Sequence, residues 1–341
     1  MPHAWNRRRL LTGAVGAGAA AALGDLTFLR GLRAVDAEEA QVGPEQVRLR
    51  PEIEPLVRLL EETPRDQLLE KAAAQIRGGA TYKELLAALM LAGVRNVQPR
   101  PVGFKFHAVL VVHSAHQASL ASADADRWLP LFWALDFFKG SQAQDVREGD
   151  WTMSALRDSA LPTPSGARAR FVAAMDRWDE AGADVAVAQL ARAAKPAEVF
   201  ELFWRYGARD FRDIGHKAIY VANAWRTLGV IGWEHSEPIL RSLAYALLDR
   251  GGLSGNPADL DEPADRPWRQ NLLRVKEVRA GGKGGARDPS ATTDLLATLR
   301  AATPEAASAK VVALLNRGVA AASLWDAVLM GAGELLMHQP G

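Results

Sequence analysis

Cysteine is absent from the 341 residues, which excludes disulfides, thiol catalysis and thiolate-held iron–sulfur clusters. β-Branched alternation is scarce, so strands have little to form from, whereas the abundant Ala and Leu favour helix. No apolar run is long enough to span a bilayer comfortably. An excess of one charge is missing as well, with 41 Lys and Arg against 40 Asp and Glu. Such a balance gives no footing for nucleic acid through its phosphates. The dinucleotide, Walker, nucleophile-elbow, HExxH and covalent-haem signatures do not occur. Gly281–Gly285 has the composition of a phosphate loop but lacks its Lys-Ser/Thr entry into a helix, and reads as a flexible linker. What remains is an all-α chain, long enough for a sizeable core in one large domain or two.

The N-terminus sets the compartment. Asn6-Arg7-Arg8-Arg9-Leu10-Leu11 precedes Thr12–Leu23, an uncharged run rich in Gly and Ala. This segment resembles a twin-arginine export signal, with a tolerable cleavage site at Val35-Asp36-Ala37 and the alternative of an uncut anchor. The resemblance implies the twin-arginine export machinery as a partner and a periplasmic or extracellular location. Residues 1–37 carry five Arg and two Asp, so without them the formal charge moves from +1 to −2. No later segment is long enough to be a transmembrane span.

Internal repetition is the main organising signal. Leu56–Ala80, Phe171–Lys195 and Leu296–Ala320 match without gaps. Thr63-Pro64 then falls on Thr303-Pro304, and Arg77 on Arg192 and Arg317. Each window runs into an apolar helix: Tyr82–Ala92, Ala197–Tyr206 and Ser323–Met337. The first two matches continue, His107 against His216 and Pro130 against Pro238, both prolines suiting a helix's first turn. Trp151–Arg157 answers Trp268–Arg274. The expected layout is a signal segment over 1–37 and three related helical units over 48–160, 168–280 and 290–341, the third incomplete. Linkers are expected at Leu161–Arg168, Gly251–Pro267 and Gly281–Ser290. The third unit stops after its Trp325–Met337 helix, which predicts either truncation of the natural chain or a half-unit serving as a cap. Under truncation, an exposed apolar surface is expected beside Trp325–Met337, with a tendency to aggregate or pair.

Three of the seven histidines fall within Val102–Leu120, a stretch of helical character. At about 100° per residue, His113 and His116 share a face and His107 lies opposite. His107 and His216 occupy one repeat position, and two readings are open. A repeated histidine can be architectural, donating a ring N–H to a carbonyl; alternatively the two rings converge on a pocket and, with Asn223 on the same face as His216, form the candidate catalytic set. His113 and His116 answer to Ala222 and Trp225, so the repeat does not need them. As an i, i+3 pair they are the candidate metal ligands, with His216, His235, Glu234 or Asp136 as a third; half-buried packing histidines are the alternative. The cofactor is unknown: a transition metal or a dissociable nicotinamide cofactor fits the candidate chemistry.

The histidine-headed helices His107-Ala-Val-Leu-Val-Val-His113 and Gly215-His216-Lys-Ala-Ile-Tyr resemble the questin-oxidase-like proteins. That resemblance covers most of the chain and implies a helical fold and Baeyer–Villiger-type oxidation of aromatic polyketides. Gly79-Ala-Thr-Tyr-Lys-Glu-Leu-Leu is similar to a helix start in carboxymuconolactone-decarboxylase-like proteins, whose Cys-x-x-Cys is missing here. The expected function is that of an exported oxidoreductase-like protein with a His-lined pocket for an aromatic or other apolar small-molecule substrate. The alternative is a non-catalytic exported helical-repeat binding scaffold.

Overall fold

Proline punctuates the chain. Pro55, Pro130, Pro164, Pro196, Pro267, Pro289 and Pro304 each stand in the first two positions of a helix, where the missing N–H leaves no bond unmade. The computed structural model describes residues 49–263, 265–279 and 285–338. The export segment expected over 1–37 and the Gly281–Gly284 part of the third linker lie outside them.

Among the described residues the fold is all-α, without a β-strand; a lone bridge joins Ala286 to Val319. The helices are α1 (Glu54–Glu62), α2 (Arg65–Arg77), α3 (Tyr82–Asn96), α4 (His107–Leu110), α5 (Val112–Ala121), α6 (Leu129–Glu148), α7 (Pro164–Arg177) and α8 (Glu180–Ala193). Then come α9 (Pro196–Gly207), α10 (His216–Ile231), α11 (Ser236–Leu247), α12 (Arg266–Val275), α13 (Pro289–Ala301), α14 (Pro304–Asn316) and α15 (Ala321–His338). Short 3-10 turns at Phe104–Phe106 and Arg212–Gly215 lead into α4 and α10. Breaks at Thr63-Pro64, Trp178-Asp179 and Ala302-Thr303 divide α1 from α2, α7 from α8 and α13 from α14. The first two breaks fall at the same place in the gapless matches and the third one residue earlier than its match, Thr303-Pro304. His107 and His216 each open a helix.

Three expectations are corrected. Val102–Leu120 is not one straight helix: it breaks into a 3-10 turn, α4 and α5, with Val111 between the last two. Leu161–Arg168 is not all linker, because α7 starts at Pro164. Trp151–Arg157 is irregular, unlike its helical counterpart Trp268–Arg274. There the buried Asp145 carboxylate accepts from the Trp151 and Gln98 backbone N–H groups and pairs with Lys105 at 2.8 Å. A carboxylate that satisfies loose backbone donors makes an extended segment affordable.

The apolar side chains form two separate cores. The larger spans Ile53 to Leu248 and encloses α3, on which residues Leu85–Arg95 are all buried. Arg95 in this core is 1 % exposed and is held by Glu54 at 2.8 Å and Glu61 at 2.5 Å. α10 packs on α3, α4 and α5, so the sequence around His216 meets that around His107. The smaller core, centred on Leu295, Leu314 and Ala327, belongs to α13–α15. Trp325, Leu329, Leu335, Leu336 and Met337 on α15 are exposed. No helix of the described residues is long and apolar enough to cross a membrane.

Candidate functional site

Two turns of matching design carry the two repeated histidines. Phe104 has φ 47° and Asp213 φ 55°, both in the left-handed region that non-glycine residues seldom adopt. Each lies three residues before a histidine and aims its carbonyl at that ring. The Phe104 oxygen is 2.9 Å from His107 Nδ1, and the Asp213 oxygen 2.6 Å from His216 Nδ1. Because a carbonyl only accepts, both Nδ1 atoms carry hydrogen.

The other ring nitrogens meet. His107 Nε2 and His216 Nε2 are 3.1 Å apart across 109 residues of chain, with ring planes at 83° and centroids 4.9 Å apart. The architectural reading therefore describes Nδ1, and the converging reading describes Nε2. Gly103, at φ 123°, lies against the His216 ring, where an added Cβ would stand 3.4 Å from Cε1 and Nδ1. Beneath the pair the buried rings of Phe106 and Tyr220 meet edge to face at 5.0 Å, and the Tyr220 hydroxyl donates to Ser242 at 3.0 Å. The turns also expose Phe104 (73 %), Phe211 (72 %) and Ile214 (75 %). Apolar side chains so open are unusual beside a well-packed helix crossing.

Asn223 does not join the histidine pair. Its amide donates to the Leu110 carbonyl at 2.8 Å, where α4 gives way to α5. It thereby supports the helix break. His113 and His116 do lie together, with centroids 5.8 Å apart. His116 Nδ1 is 3.2 Å from the Tyr82 hydroxyl, while His113 Nδ1 is buried without a partner. Burial lowers both pKa values, and His116 and then Arg226 lower that of His113 further. A positive neighbour that disfavours imidazolium also disfavours a metal ion. None of the expected third ligands joins them: Asp136 is paired with Arg65 at 2.7 Å, His216 faces His107, and Glu234 and His235 line a separate cleft. Among the described residues no group of three or more His, Asp and Glu side chains is placed to hold a metal.

Behind His216 sits a buried ionic cluster. Lys217 reaches Asp210 at 3.1 Å and the Asp249 carbonyl at 2.7 Å, while Arg212 pairs with Asp265 at 2.6 Å. Asp213 Oδ2 is buried without a partner. Burial first, and then the Asp249 carboxylate, push the Asp213 carboxyl up to about 6. Sequence reasoning missed the roles of Gly103, Phe104 and the left-handed turns. Glycine shortly before each histidine, in Gly103-Phe-Lys-Phe-His107 and Gly215-His216, was the available signal.

The larger hollows lie elsewhere. One of 560 Å³ is lined by Arg50, Arg192, Trp233, Glu234 and His235, and one of 590 Å³ by Leu296, Leu299, Val328 and Leu335. Neither is lined by His107, His113, His116 or His216. Compared with known proteins, the chain matches no family model, no curated protein and no solved structure.

Proposed function

We propose that the chain is an exported, oxidoreductase-like protein of tandem helical units, and that its working centre is the seam between α4 and α10. There an aromatic or other apolar small molecule rests on Phe104, Phe211 and Ile214 beside the His107–His216 pair. The observation that carries this reading is the meeting of the two Nε2 atoms at 3.1 Å, from turns held in uncommon backbone conformations. Such conformations persist where the surroundings over-determine them and cluster at functional sites. Export, and a periplasmic or extracellular setting, rest on the arginine-pair segment.

The test is a fluorescence titration of the full chain with a planar aromatic probe such as a hydroxyanthraquinone. The comparison is a Phe104→Asn/Ile214→Asn variant, since Asn tolerates the left-handed region. Saturable binding weakened at least roughly tenfold in the variant supports the reading. Absent binding, or equal binding by both proteins, contradicts it.

A second reading, a binding scaffold, is favoured by one observation: the 590 Å³ apolar hollow between α13 and α15, flanked by exposed Leu329, Leu336 and Met337. A face of this kind suits the apolar side of a partner's amphipathic helix. Leu329→Lys/Leu335→Lys would then abolish capture of an amphipathic helical peptide while leaving the aromatic probe bound. Unchanged peptide capture would remove this reading.

A further inference from the structure

We propose that His107 and His216 are the protein-donated half of a transition-metal site, one ligand coming from each side of the α4–α10 seam. Both Nδ1 hydrogens are committed to the Phe104 and Asp213 carbonyls. In two neutral rings both Nε2 atoms are therefore bare lone pairs, and here they face one another at 3.1 Å. Two lone pairs this close repel unless a cation bridges the two nitrogens.

Several features suit a metal as that cation. Two imidazole nitrogens on one tetrahedral Zn2+, each bonded at about 2.0–2.1 Å, stand about 3.3 Å apart. That is close to the separation the fold sets. A ring N–H given to a backbone carbonyl is the usual support of a metal-binding histidine, because it fixes tautomer and orientation. Here both rings have it. Imidazole donors without a carboxylate select Zn2+, Cu2+ or Ni2+ over Mg2+ or Ca2+. No third protein ligand joins them among the described residues, so water or a bound small molecule would complete the coordination. His113 and His116 lack this support: one Nδ1 has no partner, and Arg226 stands near.

The site builds on the seam as working centre, yet its test reads metal alone. The full chain is stripped with chelator and titrated with Zn2+ by calorimetry, and with Cu2+ by electron paramagnetic resonance. One ion per chain is expected, with affinity reduced at least roughly tenfold in His107→Ala and in His216→Ala alike, and unchanged in His235→Gln. Imidazole 15N spectra of the wild-type chain need no variant: Zn2+ should shift both Nε2 resonances and leave both Nδ1–H signals in place. Three results overturn the proposal: no zinc uptake, uptake lost only in His113→Ala/His116→Ala, or an Nε2 proton that persists in excess zinc, which leaves a shared proton only. A chain that binds the aromatic probe but no metal loses this site and keeps the seam reading. A chain that takes up metal at the pair but no probe does the reverse.

Discussion

α9 and α15 are both apolar helices, yet one is enclosed and the other is bare. α9 buries Val199, Phe200, Leu202, Phe203 and Tyr206, whereas α15 buries only Ser323, Leu324 and Ala327. The difference lies in the neighbours each has among the described residues. α10 and α11 fold back over α9, and Phe200 meets Trp225 of α10 with centroids 4.9 Å apart. α15 has only α13 among its principal neighbours. The helix that covers α9, α10, also brings His216 to His107.

Deleting side chains on the two helices should break or sharpen that contrast most strongly. Phe200→Ala should cost about 3–5 kcal/mol, as for other enclosed aromatic side chains. Leu329→Ala, at a side chain 65 % exposed, should stay within about 0.5 kcal/mol. Denaturant melts of both variants measure this; equal losses would show that α15 is as well covered as α9.

Glycine substitutions should give opposite signs in the two regions. Gly103→Ala places a Cβ against the His216 ring at φ 123° and should destabilise by about 1–3 kcal/mol. Gly333, on α15, has nothing within 4 Å of an added Cβ, so Gly333→Ala should stabilise by about 0.5–1 kcal/mol through helix propensity alone. A neutral Gly103→Ala would mean that the ring does not rest there.

A further contrast concerns pH. The Asp213 carboxyl is raised to about 6 from its ordinary 3.8. A raised carboxyl favours the folded state fully below its unfolded value, and that advantage is lost as pH rises through about 6. Asp213→Asn removes this dependence, so the variant should gain stability relative to wild type as pH climbs from about 4 to 7. Melts across that range giving a constant difference would contradict the buried placement.

Much of the helical layout was legible because its punctuation is local. Pro130 marks a helix start by chain chemistry alone, and the apolar run expected as a helix from Tyr82 opens α3. The convergence of His107 and His216 was open to sequence reasoning through their shared repeat position, although spacing does not say which ring nitrogen does what. The break at Val111 was hidden, because Asn223, 113 residues from Leu110, supplies the donor that supports it. Likewise Asp145, which serves the irregular Trp151 segment, acts through tertiary contacts that no local pattern records. The left-handed turns at Phe104 and Asp213 were hidden too, since neither residue type favours that conformation strongly enough to signal it.

The central claim is that His107 and His216 form one site across the α4–α10 seam. A double-mutant cycle on stability, with His107→Ala, His216→Ala and the two combined, measured in chelator, tests it directly. Residues in contact couple by about 0.5–3 kcal/mol, and a coupling in that range is the expected result. Losses that add to within about 0.3 kcal/mol would mean that the two rings do not meet.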